Sequence, residues 1–214
     1  MLTFLAFTAV LIILVLIIKN QQFFELFNFA RFKGKVGEMF VAQIFNSQLP
    51  KDKYTVIHNI TLQTEDGSTQ IDHIVLSQYG IFVVETKNMT GWIFGNQKQE
   101  FWTQKIFKKT IRFQNPLRQN YKHTQTLEKI LKIDKKTIFP VVVFIGDSTS
   151  KTPMPENVVY GKEIIDYILS KKEKFLTQEQ IYNIKNTIET KMLKRSFATD
   201  SWHIKNVREI KMRS

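Results

Sequence analysis

A mixed α/β domain, with a central sheet flanked by helices, is predicted by three observations. Three strand-like segments follow one another between residues 54 and 86, a helical pattern opens at Asn115-Pro116, and the next segment, Ile138 to Ile145 (IFPVVVFI), is apolar throughout. A wholly apolar strand belongs in the middle of a sheet covered on both faces. Helices before and after it supply the cover.

The elements follow in order. Val36, Phe40, Val41, Ile44 and Phe45 have helical spacing, and Leu49-Pro50 closes that helix. Tyr54 to Ile60 is rich in β-branched and aromatic residues and reads as a strand. Glu65-Asp66-Gly67-Ser68 is a turn, Thr69 to Ser77 a second strand, Gln78-Tyr79-Gly80 a tight turn and Ile81 to Thr86 a third strand. Beyond Gly91, Trp92–Phe94 and Phe101–Phe107 read as a smaller hairpin around residues 96–99. Trp92 and Trp102 are expected to pack there or in the core.

Proline near the first position opens the second helix, on which Leu117, Tyr121, Leu127, Ile130 and Leu131 fit one face. Pro140 sits near the start of the apolar strand, where it is tolerated. Val158–Tyr160 is a short strand leading into a helix at 162–170. Thr177 and Gln180 form a capping box before a last helix that runs to about Leu193. The predicted order is thus αβββαβ with helical additions at the C-terminal end.

The first eighteen residues carry no charged side chain. As a helix they span about 27 Å, close to the hydrocarbon thickness of a bilayer. No basic stretch precedes them and no small-x-small cleavage site follows, so an uncleaved anchor is expected over a signal peptide. Lys19, Arg31, Lys33 and Lys35 follow the span and place the remaining domain on the cytoplasmic side of a single-pass membrane protein. The expected organisation is an anchor at 1–18, a phenylalanine-rich juxtamembrane segment at 19–32, a folded domain at 33–193 and a basic tail at 194–214.

The chain of 214 residues has no cysteine, which excludes disulfides and thiolate metal sites. Its four histidines form no His-x-x-x-His pair. The net charge of +12 favours anionic partners, nucleic acid or an acidic membrane surface. Against that background Asp72, in the second strand, and Glu85 and Lys87, in the third, stand out. Residues two apart on a strand share a face, so Glu85 and Lys87 emerge together. Two carboxylates and an ammonium converging on a sheet edge suit metal-assisted cleavage of a phosphodiester. The plain alternative is an exposed ion pair between neighbouring strands.

The set Gly34-x-x-Gly37-Glu38, Gln70-Ile71-Asp72-His73-Ile74, Gly80-Ile81-Phe82-Val83-Val84-Glu85-Thr86-Lys87-Asn88, Gly91, Trp102-x-Gln104 and Asn115-Pro116-Leu117-x-Gln119 resembles the nuclease-related domain (NERD) family. That family is a branch of the PD-(D/E)xK restriction-endonuclease-like superfamily. The likeness covers roughly residues 33–132, and Trp202-His203-Ile204-x-x-Val207 resembles family C-termini more loosely. Ile71 stands where many relatives have proline.

The resemblance implies the αβββαβ core and a nuclease activity, on DNA in the first instance. It implies Glu38 as a further carboxylate and Gln104 as a further polar group of the active site. Asp72 and Glu85, with Glu38, would then hold a divalent cation, magnesium by default or manganese. Lys87 would orient the attacking water or stabilise the transition state. Gln119 and His123, four apart, can share one face of the second helix, although a solvated face is as compatible with the spacing. Lys105, Lys108, Lys109, Arg112, Arg118 and Lys122, interleaved with Phe107 and Phe113, form a basic stretch suited to phosphate contacts without base readout. A solvated basic face is its plain alternative. The other functional expectation is a non-catalytic nuclease-like module that binds nucleic acid or a partner at the membrane.

Overall fold

The computed structural model describes residues 29–65, 67–194, 196, 199 and 201–206. The expected anchor at 1–18 and most of the juxtamembrane segment lie outside the described residues. Among the described residues no helix is long and apolar enough to cross a membrane.

Residues 29–48 are helical (α1), and from Gly37 onward the chain forms one unit. Strands β1 (Tyr54–Thr64), β2 (Gly67–Ser77) and β3 (Gly80–Asn88) form the expected antiparallel meander. Then come β4 (Gly91–Phe94), β5 (Phe101–Ile106) and β6 (Lys109–Gln114), helix α2 (Pro116–Leu131), a 3₁₀ turn at Lys135–Thr137 and β7 (Ile138–Ile145). Strands β8 (Ser148–Ser150) and β9 (Val158–Tyr160) and helices α3 (Glu163–Ser170) and α4 (Gln178–Lys191) complete the described elements.

Five strands make a mixed sheet in the order β1-β2-β3-β7-β9, with β7 parallel to both β3 and β9. The apolar β7 is an interior strand, as its composition predicts, between β3 and the short edge strand β9, and both faces of the sheet are covered. On one face Val41, Ile44 and Phe45 of α1 and Ile164, Ile165 and Ile168 of α3 pack against Val75, Phe82, Val84, Val141 and Val143. On the other, Leu127 of α2 and Ile181, Ile184 and Ile188 of α4 meet Ile60, Ile71, Ile74, Ile81 and Val83.

The small hairpin is larger than expected. A two-residue turn at Phe107-Lys108 leads into β6, and β4 also pairs in parallel with β8, so a second sheet forms in the order β6-β5-β4-β8. Residues 109–114 (KTIRFQ) escape a sequence reading because the strand is a half-exposed edge with little apolar alternation. Trp102 is wholly buried and stacks parallel to Phe144 of β7, with ring centroids 6.3 Å apart. Trp92 does not enter the core; it is 49% exposed on the hairpin, with Lys105 and Lys151 against its ring.

Two further expectations need correction. Tyr121 is 51% exposed, and α2 instead buries Pro116, Asn120, His123, Thr124 and Leu127. This helix turns polar side chains inward because it faces the acid and lysine side chains of β3. Nor do β1 and β2 keep a strict two-residue alternation. Ile57 and Ile60, three apart, enter the same core, as do Ile71 and Ile74. Asn59, between the first pair, has a left-handed backbone (φ 52°), a conformation asparagine tolerates better than most residues. Its position falls opposite Asp72 in the β1–β2 register, which pairs His58 with His73 and Ile60 with Ile71.

Candidate active site

The β2–β3 ladder runs from Ser77 paired with Gly80 to His73 paired with Val84 and stops there. The next positions in register are Asp72 and Glu85, so the two acids mark the point where the strands part. The backbone N–H of Thr86, no longer served by the ladder, donates to Asp72 Oδ2 at 2.7 Å. A side chain has replaced a strand as hydrogen-bond partner, and this fixes the Asp72 carboxylate beside β3.

Beyond that point β3 is held by β7 alone, with Glu85 paired to Val142 and Lys87 to Phe144. Glu85 and Lys87 emerge on the side covered by α2, as their spacing requires. Lys87 Nζ lies 2.7 Å from Glu85 Oε1 and 3.0 Å from Gln119 Oε1. The second Glu85 oxygen is 3.2 Å from His123 Nε2, and His123 Nδ1 is 2.6 Å from Thr69 Oγ1. A chain of polar contacts therefore runs Thr69, His123, Glu85, Lys87, Gln119. Glu85 is 2% exposed, which rules out the solvated ion pair. The Lys87 side chain keeps 21% of its surface open to solvent, so the cluster opens outward along that side chain.

Local sequence explains how α2 is held there. Asn115 caps the helix by accepting from the Leu117 N–H at 2.9 Å, and its amide donates to the carbonyls of Asn96, Gln97 and Gln99. The completely buried Asn120 donates to the carbonyls of Val83 and Val141, at 2.8 and 2.9 Å. Pinned at Asn115 and Asn120, the helix presents Gln119 and His123, one turn apart, to β3.

Glu38 comes from α1. A Cβ at the preceding Gly37 would lie 2.7 Å from Asn88 Cβ, so glycine lets α1 close onto the end of β3. The Glu38 charge then acts on both Asp72 and Lys87. Burial raises the Asp72 carboxyl well above the ordinary range, and the neighbouring Glu85 and Glu38 charges add to it. Burial also pushes Glu85 upward, but Lys87 and His123 outweigh it and hold its carboxyl below the usual value. For Lys87, burial is outweighed by Glu85, Asp72 and Glu38, which raise its pKa.

Three carboxyl groups thus crowd one ammonium in a largely buried site, and the raised Asp72 pKa reflects a crowding of negative charge that a hard divalent cation would relieve. The donor set fits such an ion in kind. It does not close around one here: among the described residues no three histidine, aspartate or glutamate side chains approach closely enough to hold a metal. Both Glu85 oxygens are taken up by Lys87 and His123.

Of the remaining expected residues, Gln104 is buried on β5, where its amide donates to the Thr90 carbonyl at 2.7 Å rather than to a member of the cluster. Lys105, Lys108, Lys109, Arg112, Arg118 and Lys122 are all exposed. The first four lie on the β5–β6 hairpin and the last two on α2, one turn apart. His123 and Gln119 carried a sequence signal in their four-residue spacing. Thr69 carried none, because its role depends on an approach of β2 to α2 that no local pattern encodes.

Residues 33–145 match the sequence profile of the nuclease-related domain. An uncharacterized protein of Bacillus anthracis is 39% identical over 162 residues, which cover 74% of this chain and 76% of that one. The match to the domain takes in more than half of the chain and every member of the cluster from Glu38 to His123, and the chain belongs to the nuclease-related domain family.

Proposed function

We propose that the protein is a membrane-anchored nuclease that hydrolyses phosphodiester bonds of nucleic acid, DNA in the first instance, with a divalent metal. One observation carries this reading. Asp72, Glu85 and Lys87 meet where β2 and β3 part, with Glu38 close enough to bias two of them. The element order α1, β1–β3, α2, β7 agrees with the αβββαβ core of the PD-(D/E)xK superfamily.

Asp72, Glu85 and Glu38 would hold the ion, magnesium or manganese. When bound, it polarises the scissile phosphate and lowers the pKa of a coordinated water. The protein's own contribution centres on Lys87. Its ammonium, steadied by Glu85 and Gln119, donates to a phosphate oxygen or to the attacking water and stabilises the charge gained in the transition state. Glu85, kept ionised by Lys87 and His123, holds that ammonium in place. The exposed lysines and arginines of the β5–β6 hairpin and of α2 supply contacts to the phosphate backbone.

The test is nicking of supercoiled plasmid by the full-length chain in detergent with magnesium or manganese. Cleavage is expected in the parent protein and a loss of at least about a hundredfold in Asp72→Ala and Lys87→Ala. Undiminished cleavage in both variants would sink the assignment.

The engagement of both Glu85 oxygens favours one other reading, a non-catalytic module that only binds. It predicts salt-sensitive DNA binding that survives Asp72→Ala, and no cleavage with any metal.

A further inference from the structure

The second sheet turns one face to the core and one to solvent. Trp102, Gln104 and Phe113 face inward. Their neighbours on β5 and β6, namely Phe101, Thr103, Lys105 and Arg112, face outward, as does Trp92, which is paired with Lys105. A solvent-facing sheet surface ordinarily carries polar residues and charges of both signs. This one carries Trp92 at 49% exposure and Phe101 at 41%. Its strands β4, β5, β6 and β8 contain no aspartate or glutamate.

Each ring is flanked by a cation. Lys151 Nζ lies 4.9 Å from the Trp92 centroid, Lys105 Nζ 6.0 Å from it, and the Arg112 guanidinium 4.8 Å from Phe101. Such pairing holds the rings in place without hiding them. Phe101 lies four residues along β5 from Lys105, the partner of Trp92, so the two rings are set about 13 Å apart along the strand.

We propose that this outward face is a binding platform for single-stranded nucleic acid, with Trp92 and Phe101 stacking on bases and Lys105, Arg112 and Lys151 holding the phosphates. Rings interleaved with cations, and no acid among them, match a chain of bases and phosphates. A duplex keeps its base faces covered, so it gains only the electrostatic part.

The platform also lies near the cluster. Gly91 (φ 81°), where a Cβ would meet the Lys105 carbonyl oxygen at 2.5 Å, turns the chain from β3 into β4. Trp92 follows Lys87 by five positions, at most about 18 Å of chain. That span is the length of a few nucleotides of extended strand. This deepens the nuclease reading by naming the form of its substrate and rests on that reading for the link to cleavage. The binding itself does not depend on it.

The experiment is fluorescence anisotropy of the full-length chain in detergent, with EDTA to prevent cleavage. The probes are oligo-dT, oligo-U and a DNA duplex of equal length at one salt concentration. Single strands are expected to bind at least about tenfold more tightly than the duplex, and Trp92→Ala and Phe101→Ala each to weaken single-strand binding roughly tenfold. Duplex affinity should be unmoved. Trp92→Phe, which keeps a stacking ring and the strand's packing, should retain most of the affinity and separates lost stacking from lost folding. Comparison of oligo-dT with oligo-U decides between DNA and RNA. Equal affinity for duplex and single strand, or unchanged single-strand affinity in the double alanine variant, overturns the proposal. Absence of plasmid cleavage with intact single-strand binding overturns only the nuclease reading. Intact cleavage with no single-strand preference overturns only the platform.

Discussion

Glu85 is a buried carboxylate whose two oxygens are held by different groups, and its protonation sets the state of the whole cluster. His123→Ala removes one of the influences that keep its pKa low. The acidic limb of the cleavage profile should then move to higher pH, with rates converging toward the parent protein at alkaline pH. An unmoved limb would remove His123 from the role of holding Glu85 ionised. A second residue-level consequence concerns His73. It is buried against Phe45, with its Nδ1 2.8 Å from that of His58. Burial first, and His58 second, lower its pKa to about 3. The unfolded chain takes up a proton there near pH 6.5, so between roughly 3 and 6.5 it binds the extra proton and the folded protein does not. Stability should therefore rise with pH across that window, by up to about 1.4 kcal/mol per unit from this group. Urea midpoints measured between pH 4 and 7 check this. His73→Leu should flatten the dependence, and equal slopes in the two proteins would rule His73 out as its source.

At the scale of elements, the site depends on how α2 is fastened. Asn115 is fully buried, caps α2 and binds three carbonyls of the loop between β4 and β5. Replacing it with alanine removes the cap and the amide that ties α2 to the β4–β5 loop, and should destabilise the domain by about 1–2 kcal/mol in urea unfolding. A change below about 0.5 kcal/mol would mean that this junction does not hold the helix. The second sheet is attached to the first chiefly through Trp102, Ile93 and Phe144, an apolar contact that leaves its outer face unused. The C-terminal segment also returns to the meander, where His203 Nδ1 lies 2.8 Å from Ser68 Oγ at the start of β2. The structure thus gives the loosely family-like Trp202-His203-Ile204 a packing role.

For the molecule as a whole, charge and the apolar leader act together. A chain with net charge +12 and an uncharged run of eighteen residues is expected at an anionic membrane surface. Fractionation of expressing cells tests this. The full chain should pellet with membranes and resist alkaline carbonate, whereas a chain beginning at Lys19 should be released. Release of the full chain by carbonate would exclude a spanning anchor. If both proposals hold, the nuclease would meet nucleic acid at the membrane rather than along the chromosome, and the single-strand platform would suit strands that arrive or leave there.

The sequence by itself determined the meander, the buried interior strand, the helix caps and the shared face of Glu85 and Lys87. Each of these follows from a local rule: period two, an apolar run, a capping box, a proline at a helix start. It also pointed to Asp72, through its motif rather than through any periodicity. Only the tertiary structure decided that β2 and β3 part at the two acids and that a left-handed Asn59 reverses the alternation opposite Asp72. Only it brought Thr69, His123 and Gln119 to complete the cluster, and turned Trp92 outward rather than into the core. These depend on contacts between residues distant in sequence, where burial of one face selects which side chains remain outside. Periodicity places a side chain on a face of its own element; which face meets the core is fixed only when the elements pack.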